Sequence, residues 1–187
     1  METVVYHGSA QHGLTRLSPR ESTHGRAWVY ATPLLPIAAI QLQKGGDLNC
    51  AHGLHDEQVF LYERWPGAFE TRYAGKSGSI YELPGDTFEA HRTSFSAEVV
   101  SETAVGILRE HHIADAQTYL WELSDEGVLR IYMHDERPPW IPEDDQDLVD
   151  RIVRWSNGDL DSHLVKYAAQ HLPHLMNRIH RALRSPA

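Results

Sequence analysis

Cysteine is almost absent from the sequence, since Cys50 is the single instance in 187 residues. An intramolecular disulfide is therefore excluded, and such cysteine usage is typical of a reducing compartment. No apolar run approaches the roughly 20 residues that a membrane-spanning helix needs, and no secretory signal precedes the first apolar segment. The sequence predicts a cytoplasmic protein without a membrane anchor.

Positive charge is also scarce. The chain has 17 lysines and arginines against 26 acidic residues, which gives a formal net charge of -9. Because neutralising a phosphate backbone needs clustered cations, extensive nucleic-acid binding is not expected. The 13 histidines are scattered along the chain.

Several common catalytic and nucleotide-binding motifs are missing. The sequence contains no GxGxxG and no GxxxxGK[ST], and the glycine expected five residues before Gly75 is Glu70. A Rossmann fingerprint and a P-loop are thus excluded. No GxSxG surrounds Ser9, so this serine is not expected to be a nucleophile.

The alternation of apolar and polar residues, together with the positions of turn residues, predicts an α+β fold. Strands are predicted at 3–6, 28–31, 59–65, 79–83, 95–100 and 128–133, and helices at 36–43 and 115–123. Residues 44–57 are predicted to form a loop, and 103–113 fit either a strand or a helix. A solvated acidic connector at 135–145 then divides a mixed region, 1–143, from a C-terminal helical extension, 144–187, with Asp144 or Asp145 as a helix cap.

Three motifs at predicted strand ends carry the functional hypothesis. They are Val4-Val5-Tyr6-His7-Gly8-Ser9, Val29-Tyr30-Ala31-Thr32 and Ala97-Glu98-Val99-Val100. Their order and spacing resemble the ADP-ribosyltransferase family, in its branch related to diphtheria toxin and poly(ADP-ribose) polymerases. The resemblance covers about the first hundred residues.

The resemblance implies a fold and a function. The fold would be a split pair of mostly antiparallel sheets with an NAD cleft between them, followed by the C-terminal helices. The chain would transfer ADP-ribose from NAD to an acceptor that the sequence does not identify. No metal is expected.

Each motif residue has an implied task. His7 would bond a ribose hydroxyl, Gly8 would let the backbone approach the nicotinamide amide, and the Ser9 hydroxyl would bond that amide. Tyr30 would stack on the nicotinamide ring. Glu98 would stabilise positive charge at the anomeric carbon as nicotinamide leaves.

The pyrophosphate of NAD calls for a cation. Arg16, Arg20 or Arg26 would supply it, since a guanidinium suits phosphate oxygens, and Arg20 is taken as the candidate. The chain also departs from the family. The helix after Tyr30 has no second stacking aromatic, and Ser96 replaces the second glutamate of arginine-modifying members.

Alternatives remain open at this stage. The same fold would suit an NAD glycohydrolase, an RNA 2′-phosphotransferase-like enzyme, or a non-catalytic interaction protein on a decayed transferase scaffold. Glu89 or Glu102 would replace Glu98 as the relevant carboxylate if the strand register differs. A zinc site built from the following histidines is a weaker alternative: His52, His55, His111, His112 and His134.

Overall fold

A computed structural model describes residues 3–21, 25–43 and 48–184. Its first strands and helices are β1 (Val4–Ser9), β2 (Arg16–Leu17), β3 (Arg20–Glu21), β4 (Ala27–Ala31), α1 (Leu35–Ile40), β5 (Cys50–His55), β6 (Gln58–Glu63), α2 (Ala68–Tyr73) and β7 (Gly78–Pro84). The remainder are β8 (Glu89–Ala90), β9 (Val99–Ser101), β10 (Val105–Gly106), β11 (Arg109–Ile113), α3 (Ala116–Asp125), β12 (Leu129–Tyr132), α4 (Gln146–Ser156), α5 (His163–His171) and α6 (Met176–Arg184). Sheets that are mostly antiparallel alternate with helices, so the predicted α+β class is confirmed.

The first sheet has the order β1-β7-β11, and both of its pairings are antiparallel. Val5, Tyr81 and Leu83 pack in one apolar cluster, whereas Ile80 and Ile113 pack in another. Successive residues of a strand point to opposite faces, so this sheet is covered on both sides. The segment 103–113, which fits a strand or a helix by sequence, forms the strands β10 and β11.

The second sheet has the order β3-β4-β9-β8. It joins the first through an isolated bridge, in which the backbone N–H of Tyr6 donates to the Thr32 carbonyl oxygen at 2.7 Å and the N–H of Thr32 donates to that of Tyr6 at 2.9 Å. This bridge holds β1 next to the end of β4. The predicted strand 95–100 is shorter than expected, because residues before Val99 form a turn.

The third sheet has the order β12-β6-β5, with β6 parallel to β12 and antiparallel to β5. The prediction of a loop at 44–57 is therefore wrong for residues 50–55, while 44–47 lie outside the described residues. Asp56 and Glu57 turn the β5–β6 hairpin with φ of 48° and 64°. Such left-handed turns usually carry Asn or Gly, which explains why the sequence did not reveal this hairpin.

Helices α1 and α3 pack in the largest apolar cluster. The predicted helix at 115–123 is confirmed, and Asp115 caps it by accepting from the backbone N–H of Thr118 at 2.8 Å. The Asp115 carboxylate also accepts from the N–H of Gly75 at 2.6 Å. These hydrogen bonds, chiefly those from Thr118, lower the pKa of Asp115.

Helices α4, α5 and α6 share an apolar cluster of their own, to which Leu48 and Trp65 also contribute. Asp145 is the N-cap residue of α4, one of the two predicted alternatives, but its side chain makes no capping bond. The side chain of Asp144, one residue earlier, accepts from the N–H of Gln146 at 3.1 Å. Asp145 is buried. It accepts from Arg137 at 2.8 Å and lies 3.6 Å from the buried Arg64, so this part of the connector is not solvated.

The described residues include no helix that is long and apolar enough to cross a membrane.

Candidate functional site

A cleft opens where β1, β4 and α1 meet the turn before β9. Its volume, including the solvent-filled space at its opening, is about 350 Å³. The residues that line it are Tyr6, His7, Gly8, Tyr30, Ala31, Thr32, Ile37, Ala38, Gln41, Phe95, Ala97 and Glu98. Five motif residues were assigned a task from the sequence, and four of them line the cleft: His7, Gly8, Tyr30 and Glu98.

Strand pairing explains why these residues converge. The Tyr6–Thr32 bridge sets the end of β4 beside β1, one residue from His7 and two from Tyr30. In the β4–β9 pair, Ala31 faces Val99. Glu98 directly precedes Val99, so the same pairing carries its carboxylate to the cleft.

The imidazole of His7 is anchored to the backbone of Tyr30. Its Nδ1 atom lies 2.7 Å from the carbonyl oxygen of Tyr30. Because a carbonyl only accepts hydrogen bonds, Nδ1 carries the proton of this contact, and in the neutral ring Nε2 is then the acceptor nitrogen. The contact therefore fixes both the orientation and the tautomer of His7.

Two aromatic rings line the cleft in addition to Tyr6. Tyr30 packs edge-on against Trp28, with the ring centroids 6.1 Å apart. Phe95 is the second, and its ring meets His52 edge-on at 5.9 Å. Phe95 was not identified from the sequence, because a second aromatic was sought on α1 and this one lies on the turn before Glu98.

Gly8 is required by packing between β1 and α1. A Cβ atom at this position would lie 1.9 Å from the carbonyl oxygen of Ala38. This helix–strand contact accounts for the glycine without any ligand. The implied task of Gly8, close approach to nicotinamide, stays a prediction.

Ser9 does not line the cleft. It is buried at the end of β1, and its hydroxyl oxygen accepts from the backbone N–H of Gln11 at 3.1 Å. The side chain thus shapes the turn that follows β1.

The three arginines considered for the pyrophosphate do not line the cleft either. Arg16 and Arg20 are exposed on the short strands β2 and β3. The guanidinium of Arg26 lies 5.8 Å from the ring centroid of Trp28, the residue that packs against Tyr30. The guanidinium of Arg26 is therefore one ring away from the cleft, and Arg20 lies opposite the same Trp28 in the β3–β4 pair.

The structure distinguishes the three candidate carboxylates. Glu89 forms an ion pair with Arg92, and Glu102 lies 3.3 Å from the same guanidinium. Neither lines the cleft, whereas Glu98 does. The register of β9 accordingly favours Glu98.

The histidines weighed as zinc ligands have separate surroundings. His55 stacks on Trp140 at 3.5 Å, His111 Nε2 lies 2.7 Å from Glu82, and His134 Nδ1 lies 3.1 Å from the Arg64 carbonyl oxygen. Of these histidines, only His112 lies in a group of side chains that could bind a metal ion. The other members of that group are His12 and Glu110. His12 was not considered from the sequence.

Cys50 is not a candidate nucleophile. Burial raises the pKa of its thiol to about 12. Because the thiolate is the reactive form, this side chain is inert at neutral pH.

Comparisons with family models, curated proteins and solved structures gave no significant match.

Proposed function

We propose that the cleft binds the nicotinamide end of NAD and that the protein transfers ADP-ribose to an acceptor. The observation that supports this most is the convergence of His7, Tyr30 and Glu98. These residues were selected from three separate sequence motifs, and all three line one cleft. The cleft is too small for the whole dinucleotide, so the adenosine part would lie outside it.

Nicotinamide would be held by aromatic contacts. Tyr30 would offer its ring to the pyridinium face, and Phe95 would contribute a second apolar ring from the turn before Glu98. The positive charge of the pyridinium strengthens a face-on contact with an aromatic ring. Phe95 would then take the place of the aromatic that α1 lacks.

The ribose would be oriented by two polar groups. Nε2 of His7 would accept a hydrogen bond from one ribose hydroxyl, because Nδ1 already donates to Tyr30. The Glu98 carboxylate would accept one from another hydroxyl. Both contacts hold the anomeric carbon near the carboxylate, where charge develops.

In the reaction the bond between the anomeric carbon and the nicotinamide nitrogen breaks. Its electron pair moves to the ring nitrogen, so nicotinamide leaves neutral and the sugar becomes oxocarbenium-like. Glu98 stabilises that positive charge. The acceptor then bonds the anomeric carbon and releases one proton.

A guanidinium beside the cleft would suit the pyrophosphate. Arg26 lies 5.8 Å from the ring centroid of Trp28, whereas Arg92, at 5.6 Å from the same ring, is already paired with Glu89 and Glu102. Trp28 in turn packs against Tyr30. We therefore favour Arg26 over Arg20 as the pyrophosphate contact.

The proposal is tested by measuring NAD binding by calorimetry and nicotinamide release by chromatography on the same samples. Glu98→Gln should keep NAD binding and reduce release by roughly a hundredfold, as expected when a group that stabilises transition-state charge is lost. Glu89→Gln, whose carboxylate pairs with Arg92 outside the cleft, is the matched control and should leave both unchanged.

Other outcomes identify the alternatives. Absence of binding at millimolar NAD would overturn the proposal. Binding without nicotinamide release by the wild type would indicate a non-catalytic binding protein. Release to water that no added acceptor accelerates would indicate an NAD glycohydrolase.

A further inference from the structure

A second group of reactive side chains lies at the end of β1, β7 and β11, apart from the residues that line the cleft. Glu110 and His112 are two residues apart on β11, so both point to the same face of the sheet. His12 lies in the loop after β1. The potential ligand atoms of these three residues all lie within 4.8 Å of one another.

Glu110 is held rigidly through one carboxylate oxygen. Its Oε1 accepts from the Ser79 hydroxyl at 2.6 Å and from the Gly13 backbone N–H at 2.8 Å, and the Tyr81 hydroxyl lies 3.1 Å away. Among the described residues, Oε2 accepts no hydrogen bond. These bonds, that of Ser79 first, lower the pKa of Glu110 to about 2, so the group is ionised at neutral pH.

The two imidazoles are close enough to share one ion. The Nδ1 atoms of His12 and His112 lie 3.3 Å apart, and the rings are stacked with centroids 5.2 Å apart. Two ligands of a tetrahedral zinc ion, each about 2.1 Å from the metal, are separated by about 3.4 Å. The nitrogen spacing therefore fits two ligands of the same metal.

The surroundings of His12 resemble the support that metal-binding histidines receive. Its Nε2 lies 3.2 Å from the Ser77 hydroxyl and its Nδ1 lies 2.8 Å from the Ser79 hydroxyl. Ser79 also donates to Glu110, so one serine joins two of the three side chains. Hydrogen bonds to the second nitrogen of a histidine orient its ring for the metal.

We propose that His12, Glu110 and His112 bind a divalent transition metal ion of the zinc class. Nδ1 of each histidine and the Glu110 carboxylate would be the ligands, and water would complete the coordination. The metal would displace the Nδ1 proton of His12, which Ser79 accepts in the metal-free site. Two histidines and a glutamate are a known ligand set for zinc with an open position. The side chain of His112 is 67% exposed, so the ion reaches the site directly from solvent.

A metal ion here would fasten the loop after β1 to the far edge of the sheet. His12 and His112 are 100 residues apart in sequence, and β7 lies between their strands. The bound ion would thus stabilise the turn that follows the His7-Gly8-Ser9 motif. The site does not depend on NAD, and it departs from the expectation that the protein binds no metal.

The test uses Zn²⁺ alone in calorimetry and Co²⁺ as a spectroscopic probe, with excess Mg²⁺ to suppress weak carboxylate binding. The wild type should bind one equivalent of Zn²⁺ and give the visible absorption of four- or five-coordinate Co²⁺. His112→Ala and Glu110→Gln should weaken binding by at least about tenfold. Because His112 is exposed, its variant is expected to fold even if Glu110→Gln does not.

The matched control is His111→Ala. This histidine neighbours His112, points to the other face of β11 and lies against Glu82. Its removal should leave the affinity and the Co²⁺ spectrum unchanged. The proposal fails if the wild type shows no saturable Zn²⁺ binding, if His112→Ala binds as the wild type does, or if His111→Ala weakens binding equally.

Discussion

The Nδ1 atom of His7 lies 2.7 Å from the carbonyl oxygen of Tyr30, and this contact joins β1 to β4 at the cleft. A side chain that is fixed through one nitrogen can present the other in a defined direction. The same contact holds the backbone of Tyr30, so the imidazole and the ring are positioned together. Binding at the cleft should therefore depend on the Tyr30 ring as much as on His7.

Replacing Tyr30 by alanine should weaken NAD binding by about 1–3 kcal/mol, because a stacking ring is lost while the backbone bond to His7 remains. Tyr30→Phe keeps the ring and should bind NAD within about 0.5 kcal/mol of the wild type. Calorimetry on the three proteins measures both effects. Equal losses in both variants would contradict a stacking role.

From its position, the positive charge of Arg26 should strengthen NAD binding, whereas that of Arg20 should not. Arg26→Ala should weaken NAD binding by about 1 kcal/mol, roughly fivefold in Kd, and the loss should shrink at high salt. Arg20→Ala, on the exposed strand β3, should leave Kd unchanged. Kd values for NAD at two salt concentrations measure both effects. A larger effect of Arg20→Ala would favour Arg20, the residue predicted from the sequence, as the pyrophosphate contact.

Gly8→Ala should destabilise the fold whether or not NAD binds. The new Cβ would lie 1.9 Å from the Ala38 carbonyl oxygen, so β1 and α1 would have to separate. We expect a loss of about 3 kcal/mol in the free energy of unfolding, the upper end for overpacking, measured by urea denaturation. Gly106→Ala is the control, because no described atom lies within 4 Å of its Cβ position. Similar stability of the two variants would disprove the packing argument.

The contribution of Glu110 to stability should depend on pH. Its pKa is about 2 in the folded protein against an ordinary value of 4.5, so ionised Glu110 stabilises the fold at neutral pH. That stabilisation is complete above about pH 4.5 and is lost as the pH falls towards 2. The stability difference between the wild type and Glu110→Gln should therefore shrink over that range.

Urea denaturation between about pH 3 and 7, with a chelator present, measures this difference. Glu122→Gln, on an exposed position of α3, serves as the control and should show a nearly constant difference from the wild type. A constant difference for Glu110→Gln as well would show that its hydrogen bonds do not set the acid sensitivity.

Residues of the candidate cleft that carry a local motif could be predicted from the sequence, whereas contacts between distant segments could not. His7, Tyr30 and Glu98 were found because each follows or opens a short β-branched run with a local signature. Phe95 lies in a turn and carries no such signature. The contact between His12 and His112 depends on β7 placing two segments side by side, which no local pattern encodes.

In the fold, too, elements with a local sequence pattern could be predicted, whereas features without one could not. Strands with continuous apolar runs, such as β6 and β7, were predicted within a few residues. The hairpin between β5 and β6 was missed because Asp56 and Glu57 adopt left-handed conformations without glycine or asparagine. Asp145 was expected in solvent because its neighbours are acidic, but ion pairs with Arg64 and Arg137 allow its burial.

Burial of Asp145 predicts that this one acidic residue of the connector is important for stability. Asp145→Ala would leave the buried Arg64 with fewer partners and Arg137 without its carboxylate, and it should cost about 3 kcal/mol of unfolding free energy. Glu143→Ala, at an exposed position two residues earlier, should change stability by no more than about 0.5 kcal/mol. Both are measured by urea denaturation at neutral pH. Asp145→Asn keeps an oxygen that accepts hydrogen bonds, so it should lose less than Asp145→Ala. Equal stability of the Asp145→Ala and Glu143→Ala variants would show that the connector is solvated after all.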